Sequence, residues 1–202
     1  DAIPIKQFKR NKRSLFEKYF QLQKNCDIKT IFKKASAKDV KIVNSYKSLK
    51  NLKFVEFPKE GLELMQKILN KIIALDGCIL MIDYGYLKSN NQNTIQSVIR
   101  HKKNVLLKNL GKADVTSHVN FNLISEFFSR NNLKVKRTIT QAEFLKNMGI
   151  VNRAEILSEK MSFLQKTDLY LRLKRLLSPR YMGNLFKVIL AYKSESSSYS
   201  GF

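Results

Sequence analysis

Asp83 closes a continuous apolar run, Cys78-Ile79-Leu80-Met81-Ile82, and is followed by Tyr84 and Gly85. A run this apolar, bounded by Gly77 and an acid, reads as a buried parallel strand. In open α/β sheets ligand chemistry gathers where such strands end, which makes Asp83 the first candidate for a working carboxylate. A strand-end acid can also simply cap local backbone. His101 and His118 are the only histidines. Each can move a proton near neutral pH or serve as a local hydrogen-bonding group. The two cysteines, Cys26 and Cys78, lie in no CxxC or Cys/His spacing, so no metal site is expected. Basic runs at 6–13, 100–103 and 134–137 could meet phosphates or form a solvated face, and Phe8, Phe16, Tyr19 and Phe20 interleave the first.

The elements holding these residues follow from periodicity. Residues 5–21 read as strand, polar turn and strand, and 25–53 as Lys-rich loop with short elements. Residues 54–58 are extended, because Pro58 restricts Phe57. A helix over 59–76 puts Leu62, Met65, Leu69, Ile72 and Ile73 on one face, with Gly77 as its C-cap. The polar stretch 86–117 is a long connection of the kind that forms lids. Residues 119–130 form a second helix and 133–139 a strand. Thr140 and Glu143 match a capping box for a helix that Gly149 ends. Asn152 caps a further helix, 153–176, with a break, and 183–192 is a last buried strand. A single domain over 1–193 and a disordered Ser-rich tail over 194–202 are expected.

Composition bounds the class. The chain has 202 residues, of which 44% are hydrophobic, enough for a core, and only seven Gly and three Pro. Disordered and collagen-like classes are excluded. No run of eighteen apolar residues exists, so no membrane span is expected. The formal charge is +22. Lysines outnumber arginines 29 to 9 and spread along the whole chain, which favours a solvated surface over a nucleic-acid groove.

Several ordered segments carry a resemblance. They are Asp1-Ala2-Ile3-Pro4-Ile5-Lys6-Gln7-Phe8, Val55-Glu56-Phe57-Pro58, Ile82-Asp83-Tyr84-Gly85 and Asn93-Thr94-Ile95-Gln96. Arg100-His101-Lys102, the stretch 111–121, Thr140-Gln141-Ala142-Glu143-Phe144-Leu145, Gly149-Ile150 with Arg153-Ala154-Glu155, and 182–188 continue them. Together they resemble the C-terminal half of the MidA-type family of S-adenosylmethionine-dependent methyltransferases. That family includes a mitochondrial assembly factor that methylates an arginine of a respiratory complex I subunit.

The resemblance implies an α/β fold: the C-terminal half of a class I (Rossmann-like) methyltransferase, with a mostly parallel sheet, helices and a lid-like insertion. It implies S-adenosyl-L-methionine as cofactor, a protein substrate such as a complex I subunit, and a bacterial cytoplasm or mitochondrial matrix. Asp83 would grip a guanidinium, which is planar and always charged, with Asp114 and Glu143 behind it. Tyr84 and Gly85 would floor the pocket, and His101 and His118 would orient substrate or act as base. Asp1 and Pro4 would belong to the motif beside the transferred methyl group. The departures are specific. No GxGxG cofactor loop occurs, and Asn93 and Asn120 stand where the family has Asp. The expected function is therefore the substrate-side part of a protein-arginine methyltransferase, inactive alone. An inactive remnant of the family and a basic nucleic-acid-binding module are the alternatives.

Overall fold

The computed structural model describes residues 2–12, 14–24, 27–194 and 199–202; Asp1, Arg13 and Cys26 lie outside them. Along the chain run β1 (Lys6–Asn11), β2 (Ser14–Leu22), β3 (Ile28–Lys34), α1 (Ala37–Ser45), β4 (Phe54–Phe57) and α2 (Lys59–Ala74). Then come β5 (Cys78–Tyr86), β6 (Gln96–Ile99), β7 (Lys102–Asn104), β8 (Asp114–Thr116), β9 (Val119–Asn120) and α3 (Phe121–Arg130). The rest is β10 (Lys134–Val135), β11 (Ile139–Thr140), α4 (Gln141–Asn147), α5 (Ile150–Ser158), α6 (Phe163–Leu177), α7 (Met182–Leu185) and β12 (Phe186–Tyr192). These elements form two compact units: residues 1–69 with 88–127, and 70–87 with 128–202.

In the first unit β3, β2, β1 and β4 form an antiparallel sheet in that order. Phe8, Leu15, Val43, Leu49, Val55 and Phe57 are buried in its core. The region 25–53, expected as Lys-rich loop with short elements, supplies β3 and α1. Within the expected lid over 86–117, three short strands form a second antiparallel sheet, β7-β6-β8. Its hairpin turns at Arg100 and His101, both with left-handed φ (49° and 60°), the geometry that matches strand twist in a tight turn.

One buried ion cluster ties this unit together. Ser36 caps α1 by accepting from the Asp39 N–H at 3.1 Å. The Asp39 carboxylate is buried and receives Lys6 at 3.0 Å and Lys59 at 2.9 Å. Burial pushes this carboxyl upward, but hydrogen bonds from Lys59, Lys6 and Ser36 together outweigh it and hold it down at about 2. A folded value below the unfolded one means that the stabilisation is complete above about pH 4 and fades as pH falls through about 2. Asp39→Ala should therefore cost about 2 kcal/mol at pH 7. Urea midpoints of wild type and variant should converge as pH drops from 4 toward 2; a gap that persists at pH 2 would refute this account.

In the second unit β12 is the centre. Val188, Ile189, Leu190, Ala191 and Tyr192 are all buried. Along its length β12 pairs antiparallel with β5, and β10 and β11 pair antiparallel with it on the other side. The apolar run of β5, expected to be a buried parallel strand, is thus antiparallel to its long partner. Leu80 and Ile82 are nearly half exposed.

Helix boundaries differ instructively from expectation. The left-handed residue after α2 is Asp76 (φ 51°), while the Gly77 N–H closes the helix end onto the Ile72 carbonyl at 2.8 Å. Thr140 caps α4 as expected, accepting from the Glu143 N–H at 3.2 Å, but the Glu143 carboxylate pairs with Arg137 instead of completing the box. The break expected within 153–176 separates α5 from α6, but α5 begins at Ile150 with Gly149 rather than Asn152 at its N-cap, and Ser162 with Gln165 forms a full capping box at the start of α6. Of the tail expected to be disordered, 195–198 lie outside the described residues. Residues 199–202 are packed: Gly201 is buried, and the Phe202 ring lies 5.6 Å from Phe144.

Candidate functional site

The first unit carries a buried polar network beside a cavity. The β1–β4 register sets Gln7 directly opposite Glu56, and both are buried. The Gln7 amide donates to Glu56 Oε1 and to Asn93 Oδ1, each at 2.7 Å, and its Oε1 accepts from Lys18 at 2.8 Å. Glu56 also accepts from the Thr94 N–H at 3.0 Å and from the Thr94 hydroxyl. Thr94 Oγ1 in turn accepts the His118 backbone N–H at 3.0 Å. Burial lowers the Lys18 ammonium, and the Glu56 charge works against that shift. One carboxylate therefore fixes the segment that leads into β6 and, through Thr94, the backbone of His118.

Asn93, Thr94 and His118 line a cavity of about 690 Å³ together with Gln92, Ile95, Gln96, Ser97 and 103–106. A smaller cavity of about 300 Å³ is lined by Ala2, Ile3, Pro4, Ile5, Ile95, Val115, Thr116 and Ser117. Ile95 borders both. The larger volume is in the range of small-molecule or side-chain sites, with a histidine and the four amides of Gln92, Asn93, Gln96 and Asn104 on its wall.

The residues singled out from the sequence do not gather in one place. His118 lines the larger cavity and Pro4 the smaller. His101 is exposed at the β6–β7 turn, and Asp114 is exposed at the start of β8. Asp83, Tyr84 and Gly85 belong to β5 in the second unit. There Asp83 Oδ1 accepts the Tyr84 N–H at 2.7 Å, and the Tyr84 ring meets Phe186 edge-on at 5.7 Å. Asp1 lies outside the described residues.

Sequence reading missed Glu56, Gln7 and Thr94 as a unit. The available signal was a lone carboxylate inside the apolar strand Phe54–Phe57, a position that demands hydrogen-bond donors.

The two departures from the family keep their acceptor role. Asn93 Oδ1 receives Gln7 as a carboxylate would, without adding a second negative charge beside Glu56. Asn120 Oδ1 accepts the Leu123 N–H at 3.1 Å and so caps α3, a task Asn and Asp perform about equally well.

A family profile described as "Putative S-adenosyl-L-methionine-dependent methyltransferase" matches residues 1–139. The chain belongs to that family. The mitochondrial protein arginine methyltransferase NDUFAF7 of Xenopus tropicalis is 35% identical over 108 residues, which are 54% of this chain and 25% of the relative. Its Danio rerio counterpart is 25% identical over 187 residues, 93% of this chain and 44% of the relative. A solved protein from Burkholderia thailandensis superposes with a TM-score of 0.80 at 21% identity, covering 100% of this chain and 55% of that one. A second, bound to S-adenosyl-homocysteine, gives 0.77 at 21%, with 100% and 53% covered. The methyltransferase fold class is thereby shown, and the chain spans less than half of these curated relatives.

The family's cofactor is S-adenosyl-L-methionine, and the described residues do not by themselves fit it. The cavity at Pro4 is lined by aliphatic side chains and the hydroxyls of Thr116 and Ser117, with no carboxylate for a ribose diol. The left-handed glycines Gly111, Gly149 and Gly201 form no strand-to-helix turn of the cofactor-binding kind.

Proposed function

We propose that this chain is the substrate-side part of an S-adenosyl-L-methionine-dependent methyltransferase acting on protein arginine, a complex I subunit being the candidate substrate, in the mitochondrial matrix or a bacterial cytoplasm. The observation that carries the reading is the cavity walled by His118 and Thr94, held in place by the buried Glu56 in a chain of this family. The names of the relatives support the arginine substrate. Retention of both acceptor roles at Asn93 and Asn120 favours a working site over a remnant.

The methyl comes from the cofactor when it is bound. This chain's own residues would orient the acceptor and take the proton that the guanidinium nitrogen gives up. His118 is the candidate for this on the cavity wall, because a neutral imidazole nitrogen can accept a proton. Asp83, expected to end its strand, lies inside β5 in the second unit, where its Oδ1 accepts the Tyr84 N–H. Lys9, Lys18 and Lys33 lie over the rings of Phe32, Phe20 and Tyr19.

The test is transfer of radiolabelled methyl from S-adenosyl-L-methionine to protein arginine by the native protein purified from its own cells. His118→Gln should lower kcat at least tenfold while the far-ultraviolet circular dichroism and the affinity for S-adenosyl-L-methionine stay unchanged. Full activity in that variant would remove His118 from the site. Absence of any cofactor binding by the native protein would overturn the reading.

A further inference from the structure

In the first unit β3 is the edge strand of the sheet β3-β2-β1-β4. Its sequence, Ile28-Lys29-Thr30-Ile31-Phe32-Lys33-Lys34, holds neither Gly nor Pro, so no residue of it blocks the edge. Pairing with β2 runs unbroken from Ile28 opposite Leu22 to Lys34 opposite Phe16. Two bonds just past its ends show which backbone groups that pairing uses. The Asp27 carbonyl accepts the Gln23 N–H at 2.7 Å, and the Ala35 N–H donates to the Leu15 carbonyl at 2.9 Å. Backbone direction alternates along an antiparallel strand, so the odd-numbered residues face β2. The N–H and C=O groups of Ile28, Thr30, Phe32 and Lys34 therefore point outward. Among the described residues no strand lies beyond them.

The side chains along this edge carry one sign of charge. Lys29, Lys33 and Lys34 are exposed, and Lys29 and Lys33 share one face of the strand. Glu17 is the sole carboxylate of β2 and β3, and it is already held by Lys6 at 2.9 Å and by the Tyr19 hydroxyl at 2.8 Å. Lysines on an edge keep identical strands apart, and by the same charge they favour a strand of opposite sign. A nucleic acid would meet the lysines but has no groups in register to continue the ladder. An extended acidic peptide does both.

We infer that β3 is a docking edge for an acidic, extended segment of a protein partner. The segment adds to the sheet as a further strand, bonded to the outward backbone of residues 28, 30, 32 and 34, with its carboxylates on Lys29, Lys33 and Lys34. The inference stands independently of the proposed reaction, because it uses only the edge and its charge.

The probe is a fluorescein-labelled peptide of alternating Thr and Glu, and its binding to the native protein is read by fluorescence anisotropy at physiological salt. Thr30→Pro removes one outward N–H, spares the bonds to β2 and changes no charge. It should raise Kd about tenfold or more with the far-ultraviolet circular dichroism unchanged. Replacing Lys29 and Lys33 together by Gln should have an effect of similar size. The same peptide methylated at its backbone nitrogens leaves the protein untouched and should also bind about tenfold more weakly. That arm decides the matter if Thr30→Pro disturbs the fold. Equal affinity for the methylated peptide leaves only attraction between charges and overturns strand addition. No binding of the unmodified peptide overturns the docking edge. Polyuridine that displaces the peptide, and binds wild type and Thr30→Pro alike, gives the surface to nucleic acid instead.

Discussion

Glu56→Ala is expected to destabilise the first unit by roughly 3 kcal/mol or more. The carboxylate is buried and receives the Gln7 amide, the Thr94 N–H and the Thr94 hydroxyl. Alanine leaves the Thr94 N–H and hydroxyl without this acceptor, while the Gln7 amide keeps only Asn93 Oδ1, and each stranded buried donor costs about 1–3 kcal/mol. It also removes the charge that offsets desolvation of the Lys18 ammonium. Glu56→Gln keeps the shape and one acceptor oxygen, so its cost should be roughly half as large. Urea denaturation measures both. Amide exchange at Thr94 and His118 localises the effect, since the His118 N–H is held by Thr94 Oγ1. A loss under about 1 kcal/mol for Glu56→Ala would show that the network is ornamental and that other groups hold the cavity wall.

The sequence disclosed elements best where a local rule decides them. The hairpin at 6–22, the helix from Lys59 and the Thr140 cap are set by alternation, by Pro58 and by the chemistry of a hydroxyl accepting an N–H. It disclosed β5 as a strand but not its direction, because pairing partners are chosen by the route of the whole chain. The last strand reaches β5 from α7, which turns the pair antiparallel. The stretch 86–117 read as loop because its strands are three or four residues long and half polar, too short for periodicity to register.

The candidate site was less legible for a related reason. Asp83 drew attention as a strand-end acid, and its Oδ1 caps the next backbone N–H. Glu56 drew none, because its importance depends on Gln7, which lies 49 residues away and meets it only through the β1–β4 register. The family resemblance covered that gap in part, since it marked Val55-Glu56-Phe57-Pro58 and Asn93-Thr94-Ile95-Gln96 as segments that go together. It could not say that the link between them is a shared carboxylate.

Gly183→Ala is the expected counterpart in the second unit, with a cost of about 3 kcal/mol. Pro179 ends α6 by forcing Ser178 to be extended (ψ 136°), and the chain then folds back at once. The Gly183 N–H donates to the Ser178 carbonyl at 3.1 Å, which draws α7 tight against the end of α6. A Cβ built on Gly183 would overlap the Leu177 carbonyl and stand 2.9 Å from the Ser178 oxygen. Both obstacles are backbone, so no rotamer change relieves them, and α7 would have to move together with the start of β12. Gly111→Ala is the control. Gly111 has a left-handed φ of 77° and nothing within 4 Å of its would-be Cβ, so only the conformational term of about 1 kcal/mol applies. Paired denaturation curves decide between the two causes. If Gly183→Ala costs no more than Gly111→Ala, the close approach of α6 and α7 is slack, and the burial of β12 does not depend on it.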